Sequence, residues 1–353
     1  MKILILPGDG IGPEITAVTR SALEVLDRKF ALGLEFVERD IGMAAIEKGL
    51  DPMPDAIMEE VRATPFTMLG PVSTMEYPSE VQHLPSPSSL IRDNLDLFAN
   101  IRPSRTRSGV PSVAKQMDLV IVRENTEGFY AVRTMFEGKG EFMPTPDLAM
   151  SLRKITVQGS RRIAKVAFDL AQMRRKKVTV VHKGNVLRIT DGLFLREVRS
   201  VAQDYPDVET EEIIVDAMAA LLIRQPENFD VVVTTNLFGD ILSDEAAELS
   251  GGLGLGGSIN VSHDHAVAQA AHGSAPDIAG QNKANPTALV ISAQMLLKWH
   301  ANRSGNNQLA HAAAHLEAAL DDVLADPANH TMDMEGSART DEFGEALARA
   351  VDQ

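Results

Sequence analysis

The sequence predicts an α/β protein with a largely parallel sheet, organised in two lobes. Short β-branched and apolar runs alternate with longer amphipathic segments along the chain, which is the pattern of strand–helix–strand units. The length of 353 residues exceeds the usual size of one domain, so we expect two hydrophobic cores. A glycine-rich segment at 250–257, SGGLGLGG, interrupts this pattern and is expected to carry the chain from one lobe to the other.

The elements follow in order from this alternation. A strand at KILILP precedes a helix from about Glu14 to Phe30, and a strand at LEFVERD precedes a helix near Met43 to Lys48. Further strands are expected at FTMLGP, LDLFANIRP, DLVIVREN, KKVTVVHKG, EEIIVDAMA and FDVVVTTN. The segment 137–147, EGKGEFMPTPD, predicts a protruding loop, and the pattern from HGSAPD onward is mostly helical.

The composition limits the partners and the compartment. A formal net charge of -15 argues against binding to nucleic acid or to an anionic membrane, since both require a basic surface. The chain has no cysteine, and its first apolar run is too short for a signal peptide or a membrane span. We therefore expect a cytoplasmic protein whose anionic ligands meet a local arginine cluster.

Polar motifs stand directly after the strand-like runs. They are PGDGIG, RPSR, RENTEG, HKGN, VDAMA and TTNLFGD. Ligands of open parallel sheets bind at the carboxyl ends of the strands. The sequence therefore predicts a functional site at this edge of the sheet.

Two glycine motifs can be compared with nucleotide-binding loops. PGDGIGPE has the spacing G-x-G-x-G, which favours either an anion near the backbone amides or a plain tight turn. GGLGLGG contains G-x-G-x-x-G, but it follows a helical pattern and not a strand. Neither motif is therefore the Rossmann fingerprint.

Acidic residues stand where a cation could bind. Asp240 and Asp244 are four residues apart on a predicted helix, so both carboxylates lie on one face, one turn apart. Two oxygen ligands so placed suit Mg²⁺ or Mn²⁺, whereas Zn²⁺ prefers His or Cys. A solvated helix face is the alternative for this pair. Asp216, which follows another strand, could add a third carboxylate or cap a helix.

Lysine, tyrosine and arginine also occur at strand ends. Lys183 in VVHKGN and Tyr130 in RENTEGFY could be catalytic, although a surface lysine and a packed tyrosine are the commoner outcomes. Guanidinium groups bind carboxylates bidentately, so an arginine cluster predicts a substrate with two or three carboxylates, unless the cluster is simply solvated. The cluster comprises Arg92, Arg102, Arg105, Arg107 and Arg123.

Taken together, these segments resemble the β-decarboxylating dehydrogenases, the family of isocitrate, 3-isopropylmalate, homoisocitrate and tartrate/D-malate dehydrogenases. The resemblance covers nearly the whole chain in one order: PGDGIGPE, LDLFANIRP, VRENTEGFY, HKGNVLRITDGLF, VDAMA, NLFGDILSD, GGLGLGGS, HGSAPDIAG and NPTA. It implies that family's α/β fold, with two lobes, a cleft between them and no Rossmann fingerprint. It also implies a large cofactor-binding domain at 1–98 and 253–353, and a small domain at 99–252 with the dimer interface and the metal and substrate residues.

The resemblance assigns roles to the candidate residues. Lys183 would remove the hydroxyl proton, and Tyr130 would protonate the enol left by the loss of carbon dioxide. The substrate carboxylates would be held by Arg92, Arg102 and Arg123. The divalent cation, Mg²⁺ or Mn²⁺, would be bound by Asp216, Asp240 and Asp244. Because the family's counterparts of Lys183 and Asp216 reach in from the other subunit, we expect a homodimer with shared active sites.

The resemblance also places the adenosine half of the cofactor on the HGSAP loop. The implied residues are His272, Gly273, Ser274, Ala275, Asp277, Ile278 and Asn285. An acidic residue at the position of Asp277 is typical of members that use NAD, since a carboxylate would repel the 2'-phosphate of NADP. We therefore expect NAD. Gln269 departs from the glutamate that the family usually places just before this loop.

The stretch SPSSLIRDNLDLF bears on the substrate. Ser88 and Ser89 replace the leucines that 3-isopropylmalate enzymes tend to have, and Ser86 resembles the serine with which isocitrate enzymes meet a third carboxylate. We expect oxidative decarboxylation of a malate-type 2-hydroxy acid with a polar substituent, isocitrate or homoisocitrate. 3-Isopropylmalate, tartrate and D-malate are alternatives, and so is a non-catalytic regulatory subunit of a heteromeric isocitrate dehydrogenase. The intact Tyr130 and Lys183 favour the enzyme over the regulatory subunit.

Overall fold

The computed structural model describes residues 1–130 and 140–353, which form two compact units. The first unit comprises 1–95, 107–113 and 251–353, and the second comprises 96–106 and 114–250. The predicted lobes differ from these bounds at 96–98, at 251–252 and at 107–113, which the prediction assigns to the small lobe. The segment 107–113 lies with the first unit because Arg107 forms an ion pair with Asp321, and Gly109 packs against Ala325.

The first unit contains a sheet of mainly parallel strands. Its strands, numbered in chain order over the whole protein, are β1 (Lys2–Leu6), β2 (Glu35–Glu38), β3 (Phe66–Leu69), β11 (Ile259–Val261) and β12 (Ala266–Gln269). They pair in the order β2-β1-β3-β12-β11, and only the β11–β12 pair is antiparallel in this order. The helices of this unit are α1 (Gly12–Phe30), α2 (Met43–Ile46), α3 (Asp55–Ala63), α4 (Pro87–Asn94), α9 (Thr287–Ser304), α10 (Asn307–Ala325) and α11 (Thr340–Asp352).

Strand β1 and helix α1 show why this unit folds as it does. After Lys2, β1 is a continuous apolar run, ILIL, because the strand lies inside the sheet, and these four residues are buried. Helix α1 has Pro13 in its first turn and buries Ile15, Leu23 and Leu26 along one stripe. The helix packs on α11, while α9 packs on β12. PGDGIG consequently connects the carboxyl end of a buried strand to the start of a helix.

The second unit also contains mainly parallel strands. Its strands are β4 (Ala99–Arg105), β5 (Asp118–Glu124), β6 (Glu141–Thr145), β7 (Leu148–Ser151), β8 (Lys177–His182), β9 (Glu209–Ile214) and β10 (Val231–Thr234). Five of them pair in the order β4-β5-β10-β8-β9, with only β4 antiparallel to its neighbour. The helices are α5 (Val157–Gln172), α6 (Thr190–Ala202), α7 (Val215–Arg224) and α8 (Asn236–Ser250).

The central strands of the second unit bring three of the polar motifs to one edge. Strands β5, β10 and β8 are parallel neighbours, so their carboxyl ends lie side by side. Their last residues are Glu124, Thr234 and His182, which directly precede the rest of RENTEG, TNLFGD and KGN. Apolar side chains from these strands and from α8 form one core cluster, in which Ile121, Val232 and Leu242 are fully buried. This core fixes the positions of the three strand ends.

The predicted protruding loop at 137–147 is wrong where the structure describes it. Residues 137–139 lie outside the described residues, but 141–145 form β6 and pair with β7 as a hairpin. Phe142 faces Met150 in this pairing, and every residue of both strands is exposed. Pro146 and Asp147 form the two-residue turn that lets these two segments pair. None of the helices in the two described ranges has the length and apolar content needed to span a bilayer.

Candidate active site

Strand pairing places two predicted substrate ligands on one face of the second unit's sheet. Strands β4 and β5 are antiparallel, and Asn100 lies opposite Arg123 in their register. Arg102 is two residues from Asn100, so its side chain leaves the sheet on the same face. Helix α8 packs on these two strands and carries Asp240 and Asp244. The local two-residue period of the strand therefore brings arginines from separate motifs to one helix.

Arg123 is buried and held by the start of α8. It donates from Nε and Nη2 to Asn236 Oδ1, at 3.0 and 2.7 Å, and it forms an ion pair with Asp240. Asn236 also donates from Nδ2 to the carbonyl of Glu127 at 3.1 Å, which ties α8 to the RENTEG segment. The sequence analysis did not single out Asn236. Its place in TTNLFGD, as the first residue of a helix after a buried strand, was the available signal.

Arg102 is the second guanidinium in contact with α8. It donates from Nη1 to Ser243 Oγ at 2.8 Å and to Asp244 Oδ1 at 3.0 Å, and its Nη2 lies 3.6 Å from Asp240 Oδ1. Burial lowers the pKa of Arg102, and the two aspartates oppose that shift. The arginine cluster is therefore not a solvated surface at this position.

Asp240 and Asp244 keep part of their surface open. Their side chains are 33% and 50% exposed, and both contact the buried arginines. Partial burial raises the pKa of Asp244; the Arg102 guanidinium opposes this rise and the charge of Asp240 adds to it. The alternative of a purely solvated helix face is wrong for this pair. Their role as metal ligands stays a prediction.

Tyr130 lies at the same cluster. Its hydroxyl donates to Asp240 Oδ2 at 3.2 Å, and the Arg123 guanidinium lies 5.8 Å from the centre of its ring. The side chain is 40% exposed, so the alternative of a tyrosine packed in the core is wrong. The structure thus brings Tyr130, both aspartates and two of the three predicted arginines together.

Lys183 and Asp216 form a separate pair in this unit. Lys183 Nζ lies 2.5 Å from Asp216 Oδ1, and the Asp216 side chain is 69% exposed. Asp216 lies in the first turn of α7, whose N-cap is Ile214, so the helix-cap alternative for Asp216 is wrong. Over residues 1–130 and 140–353, no three His, Cys, Asp or Glu side chains are grouped closely enough to hold a metal ion. The three predicted carboxylate ligands are therefore not assembled within one chain.

In the first unit, PGDGIG is bound to the HGSAP loop. Ile11 N donates to the Ser274 carbonyl at 2.9 Å, and Ser73 Oγ donates to Ser274 Oγ at 2.7 Å. A Cβ at Gly10, whose φ is +60°, would collide with the same carbonyl oxygen. Glycine is thus required for the close approach of two loops. This contact accounts for Gly10, while a Cβ at Gly8 or Gly12 would collide with the carbonyl oxygen of Pro71 or Pro7.

Asp9 is a residue that sequence reasoning missed. It is buried, and its carboxylate accepts hydrogen bonds from Met43 N at 2.7 Å, Ser73 N at 2.8 Å and Tyr77 Oη at 2.8 Å. Burial and the bond to Asp9 raise the pKa of Tyr77, which keeps the phenol a donor. Asp9 therefore joins three loops next to the predicted cofactor segment. An acid within an apolar, glycine-rich turn was the only local signal.

Among the predicted cofactor residues, one forms hydrogen bonds within the protein and others are exposed or partly exposed. Both polar atoms of the Asn285 side chain form hydrogen bonds. Its Nδ2 donates to Asp333 Oδ2 at 2.9 Å, and its Oδ1 accepts from Thr287 N at 3.0 Å. Asp277 is exposed, and Ile278 and Ala275 are partly exposed. Ala275 takes a left-handed φ of 39°, which turns the chain between Ser274 and a short 3-10 helix at Pro276–Ile278.

The predicted substrate serines lie at the start of α4, in the first unit. Ser86 caps this helix by accepting from Ser89 N at 3.2 Å, and its Oγ lies 2.6 Å from Ser89 Oγ. Ser88 Oγ donates to Gln269 Oε1 at 3.3 Å. Arg92 lies one turn further along α4, so the structure places it in a different unit from Arg102.

Comparison with known proteins decides the family. Residues 2–347 match the family profile described as isocitrate/isopropylmalate dehydrogenase. The chain belongs to this family. As predicted, it is a dehydrogenase of the isocitrate/isopropylmalate dehydrogenase type, and its α/β fold is that of the family.

Relatives of this dehydrogenase carry both kinds of name. It is 41% identical to a 3-isopropylmalate dehydrogenase of Methanothermobacter thermautotrophicus, over 100% of this chain and 99% of the relative. It is 40% identical to an isocitrate/homoisocitrate dehydrogenase of Thermus thermophilus, over 99% of this chain and 98% of the relative. The crystal structure of isocitrate dehydrogenase from Methylococcus capsulatus superposes with a TM-score of 0.88 at 40% identity, covering 100% of this chain and 99% of that one.

Proposed function

We propose that this dehydrogenase catalyses the oxidative decarboxylation of a malate-type 2-hydroxy acid to a 2-oxo acid and carbon dioxide. NAD is the proposed oxidant, and Mg²⁺ or Mn²⁺ is the proposed cation. The observation that carries the proposal is the cluster in which Arg102, Arg123 and Tyr130 contact Asp240 and Asp244. Guanidinium groups for substrate carboxylates, aspartates for a hard cation and a phenol for proton donation are the groups that this reaction uses.

Each side chain then has a proposed task. Lys183 takes the proton of the C2 hydroxyl while the C2 hydride leaves for the cofactor, so its ion pair with Asp216 must open first. Arg102 and Arg123 bind the carboxylates of the acid. Tyr130 donates its proton to the enol carbon after carbon dioxide has left, and its exposed hydroxyl already points into the cluster.

The donor set fits a hard divalent cation. Asp240 and Asp244 offer only oxygen atoms and remain partly exposed. When bound, the cation supplies Lewis-acid polarisation of the C2 oxygen. The third proposed ligand is Asp216 of the partner subunit, since the described residues of one chain bring no three carboxylates together.

The HGSAP loop fits an adenosine group. The Nε2 atom of His272 is buried, and no hydrogen-bond partner for it lies in the described part of the chain. A Cβ at Gly273 would meet no atom within 4 Å, so contacts with neighbouring residues do not explain a glycine at this position. A ligand that lies close to the backbone there would explain it. The exposed carboxylate of Asp277 favours NAD over NADP through charge repulsion.

A second copy of this chain is the proposed partner. The β6–β7 hairpin exposes apolar side chains, and Ile223 on α7 and Ile241 on α8 are 64% and 59% exposed. Such apolar surface favours association. Because the metal set is incomplete in one chain, the dimer is proposed to share its sites. A cytoplasmic location stays a prediction from the cysteine-free composition.

A mixing experiment tests the shared sites. Lys183→Ala and Asp240→Asn should each abolish NADH formation as homodimers. Subunits mixed by reversible denaturation should regain activity, since some heterodimer sites would combine an intact Lys183 with an intact Asp240. Mixtures that stay inactive, although exchange is shown by differently tagged subunits, would refute sharing.

The proposed substrate is isocitrate or homoisocitrate. Ser88 and Gln269 form a polar contact on α4 and β12, which suits a polar substituent better than an isopropyl group. 3-Isopropylmalate is the second candidate, favoured by the name of the Methanothermobacter relative. Tartrate and D-malate have no comparable observation in their support.

The assay follows NADH absorbance with purified protein and Mn²⁺ or Mg²⁺. Isocitrate, homoisocitrate, 3-isopropylmalate, D-malate and tartrate are offered separately, first with NAD and then with NADP, and samples with a chelator serve as controls. Highest kcat/KM for isocitrate or homoisocitrate with NAD supports the proposal, whereas 3-isopropylmalate as the best substrate refutes the polar assignment. Binding of an acid by calorimetry without turnover of any acid would favour a regulatory subunit.

A further inference from the structure

Asp191 holds the backbone of the proposed base. It lies in the first turn of α6 with 0% of its side chain exposed. Its Oδ2 accepts from Lys183 N at 2.5 Å, and its Oδ1 forms an ion pair with Arg153. A fully buried carboxylate is stable only when such partners compensate its lost hydration. The backbone from which the Lys183 side chain leaves is therefore fixed by Asp191.

Arg153 extends this contact to the helix that carries the aspartates. Its side chain is 7% exposed, and its Nη1 donates to Thr190 Oγ1 at 2.8 Å. From Nη2 it donates to Thr235 Oγ1 at 3.0 Å. Thr235 directly precedes α8, and its carbonyl accepts from Gly239 N at 2.9 Å in the first turn. Through Asp191 and Thr235, the Arg153 guanidinium thus links the segment that follows β8 to the residue that precedes α8.

The same guanidinium lies against the segment of the proposed proton donor. Its carbon is 5.9 Å from the ring centre of Phe129 and 5.4 Å from that of Phe238. Phe129 directly precedes Tyr130. The neighbouring backbone is fixed by a bridge between Gly128 and Lys154, with N–O distances of 2.7 and 3.1 Å.

We infer that Arg153 and Asp191 are positioning residues for the reaction. They hold Lys183, Tyr130 and the start of α8 in one arrangement, and they act through these elements without contacting the substrate. This inference rests on the proposed function, because the roles of Lys183 and Tyr130 come from it. Small displacements of catalytic groups change rates strongly, so the pair should act mainly on kcat.

The chain offers a matched control at the other end of the sheet. Arg174 donates from Nε to Asp230 Oδ1 at 2.7 Å, and the Asp230 side chain is 1% exposed. Asp230 directly precedes β10, so this pair lies at the amino end of the same strand whose carboxyl end leads to Thr235. It shares the chemistry and the carboxylate burial of the first pair, and the other hydrogen bonds of Arg174 go to Asp118 at the start of β5.

The kinetic experiment compares Arg153→Met with Arg174→Met at a temperature where both are folded. Arg153→Met should lower kcat on the order of 10-fold to 100-fold with little change in the KM for NAD. Arg174→Met should lower the melting temperature but leave kcat within about twofold. Arg153→Lys keeps the charge beside Asp191 and should recover part of the kcat. Equal kcat values for the two methionine variants would overturn the inference.

Hydrogen exchange measured by mass spectrometry gives a second readout that needs no turnover. In Arg153→Met, peptides covering 182–190 and 235–241 should exchange faster than in the wild type, and in Arg174→Met they should not. Unchanged exchange in Arg153→Met would overturn the inference. A wild type that forms no NADH with any acid would instead sink the proposed function, and the exchange result would still decide whether Arg153 holds these segments.

Discussion

Replacing Gly239 by alanine should destabilise this dehydrogenase, although alanine is the better helix former. Gly239 lies in α8, and a Cβ built on it would be 2.6 Å from Arg123 Cγ and 2.7 Å from Arg123 Cβ. Carbon atoms in contact prefer about 3.5–4.0 Å. Arg123 cannot withdraw freely, because its guanidinium is bound to Asn236 and Asp240.

Two opposing energies decide the size of the effect. Helix propensity favours alanine over glycine by about 1 kcal/mol. Adding a methyl group to a packed site costs about 1–3 kcal/mol, and the collision here is with the stiff, backbone end of the arginine side chain. The free energy of unfolding should therefore fall by up to about 2 kcal/mol in total. At about 2–4 °C per kcal/mol for a unit of this size, the melting temperature should drop by up to about 8 °C.

Thermal unfolding by circular dichroism, at one protein concentration, measures this drop. Gly192→Ala is the matched control, since Gly192 lies in α6 and a Cβ there would meet no atom within 4 Å. Propensity then acts alone and should raise the stability by up to about 1 kcal/mol. Gly239→Ala should also raise the KM for the acid by displacing Arg123, whereas Gly192→Ala should not.

Equal upward shifts of the melting temperature in both variants would refute the packing argument. They would show that the Arg123 side chain moves aside with no loss in the free energy of unfolding. A lower melting temperature in Gly239→Ala with an unchanged KM for the acid would support the packing argument. The same result would contradict the role of Arg123 in binding the substrate.

Three further predictions follow from single residues. Lys183→Ala should abolish NADH formation while calorimetry still detects binding of Mn²⁺ and the acid; wild-type turnover would exclude Lys183 as the base. Asp277→Lys should lower kcat/KM for NAD and raise it for NADP by attracting the 2'-phosphate, whereas Glu345→Lys, with the same charge change on α11, should alter neither. Burial lowers the pKa of His300 from 6.5 to about 4, so the unfolded chain binds a proton that the folded chain does not between these values. The free energy of unfolding should therefore fall as the pH drops through this range, and His300→Asn should flatten that fall in urea titrations; an unchanged slope would contradict the assignment.

The site elements that could be foreseen are those set by local periods. Asp240 and Asp244 share a helix face because four residues make about one turn. The buried run FDVVVTTN becomes β10 and α8 follows at Asn236, so the predicted strand–helix junction is confirmed. The start of α1 at Gly12 likewise lies within two residues of the prediction at Glu14.

The contacts that hold the site together depended on the tertiary structure. Asp9 meets Met43 and Tyr77, which are 34 and 68 residues away, and Arg153 reaches Thr235 across 82 residues. No residue pattern along the chain encodes such meetings. They exist only after the sheet has ordered its strands.

Sequence patterns alone therefore sufficed for the fold class, the family and most members of the candidate site, because hydrophobic period and motif spacing act over a few residues. Folding decided which charges neutralise each other: Arg102 and Arg123 with the α8 aspartates, and Lys183 with Asp216. Ion pairs of this kind are formed by side chains that strand register and helix packing bring within about 4 Å, a distance unrelated to separation along the chain.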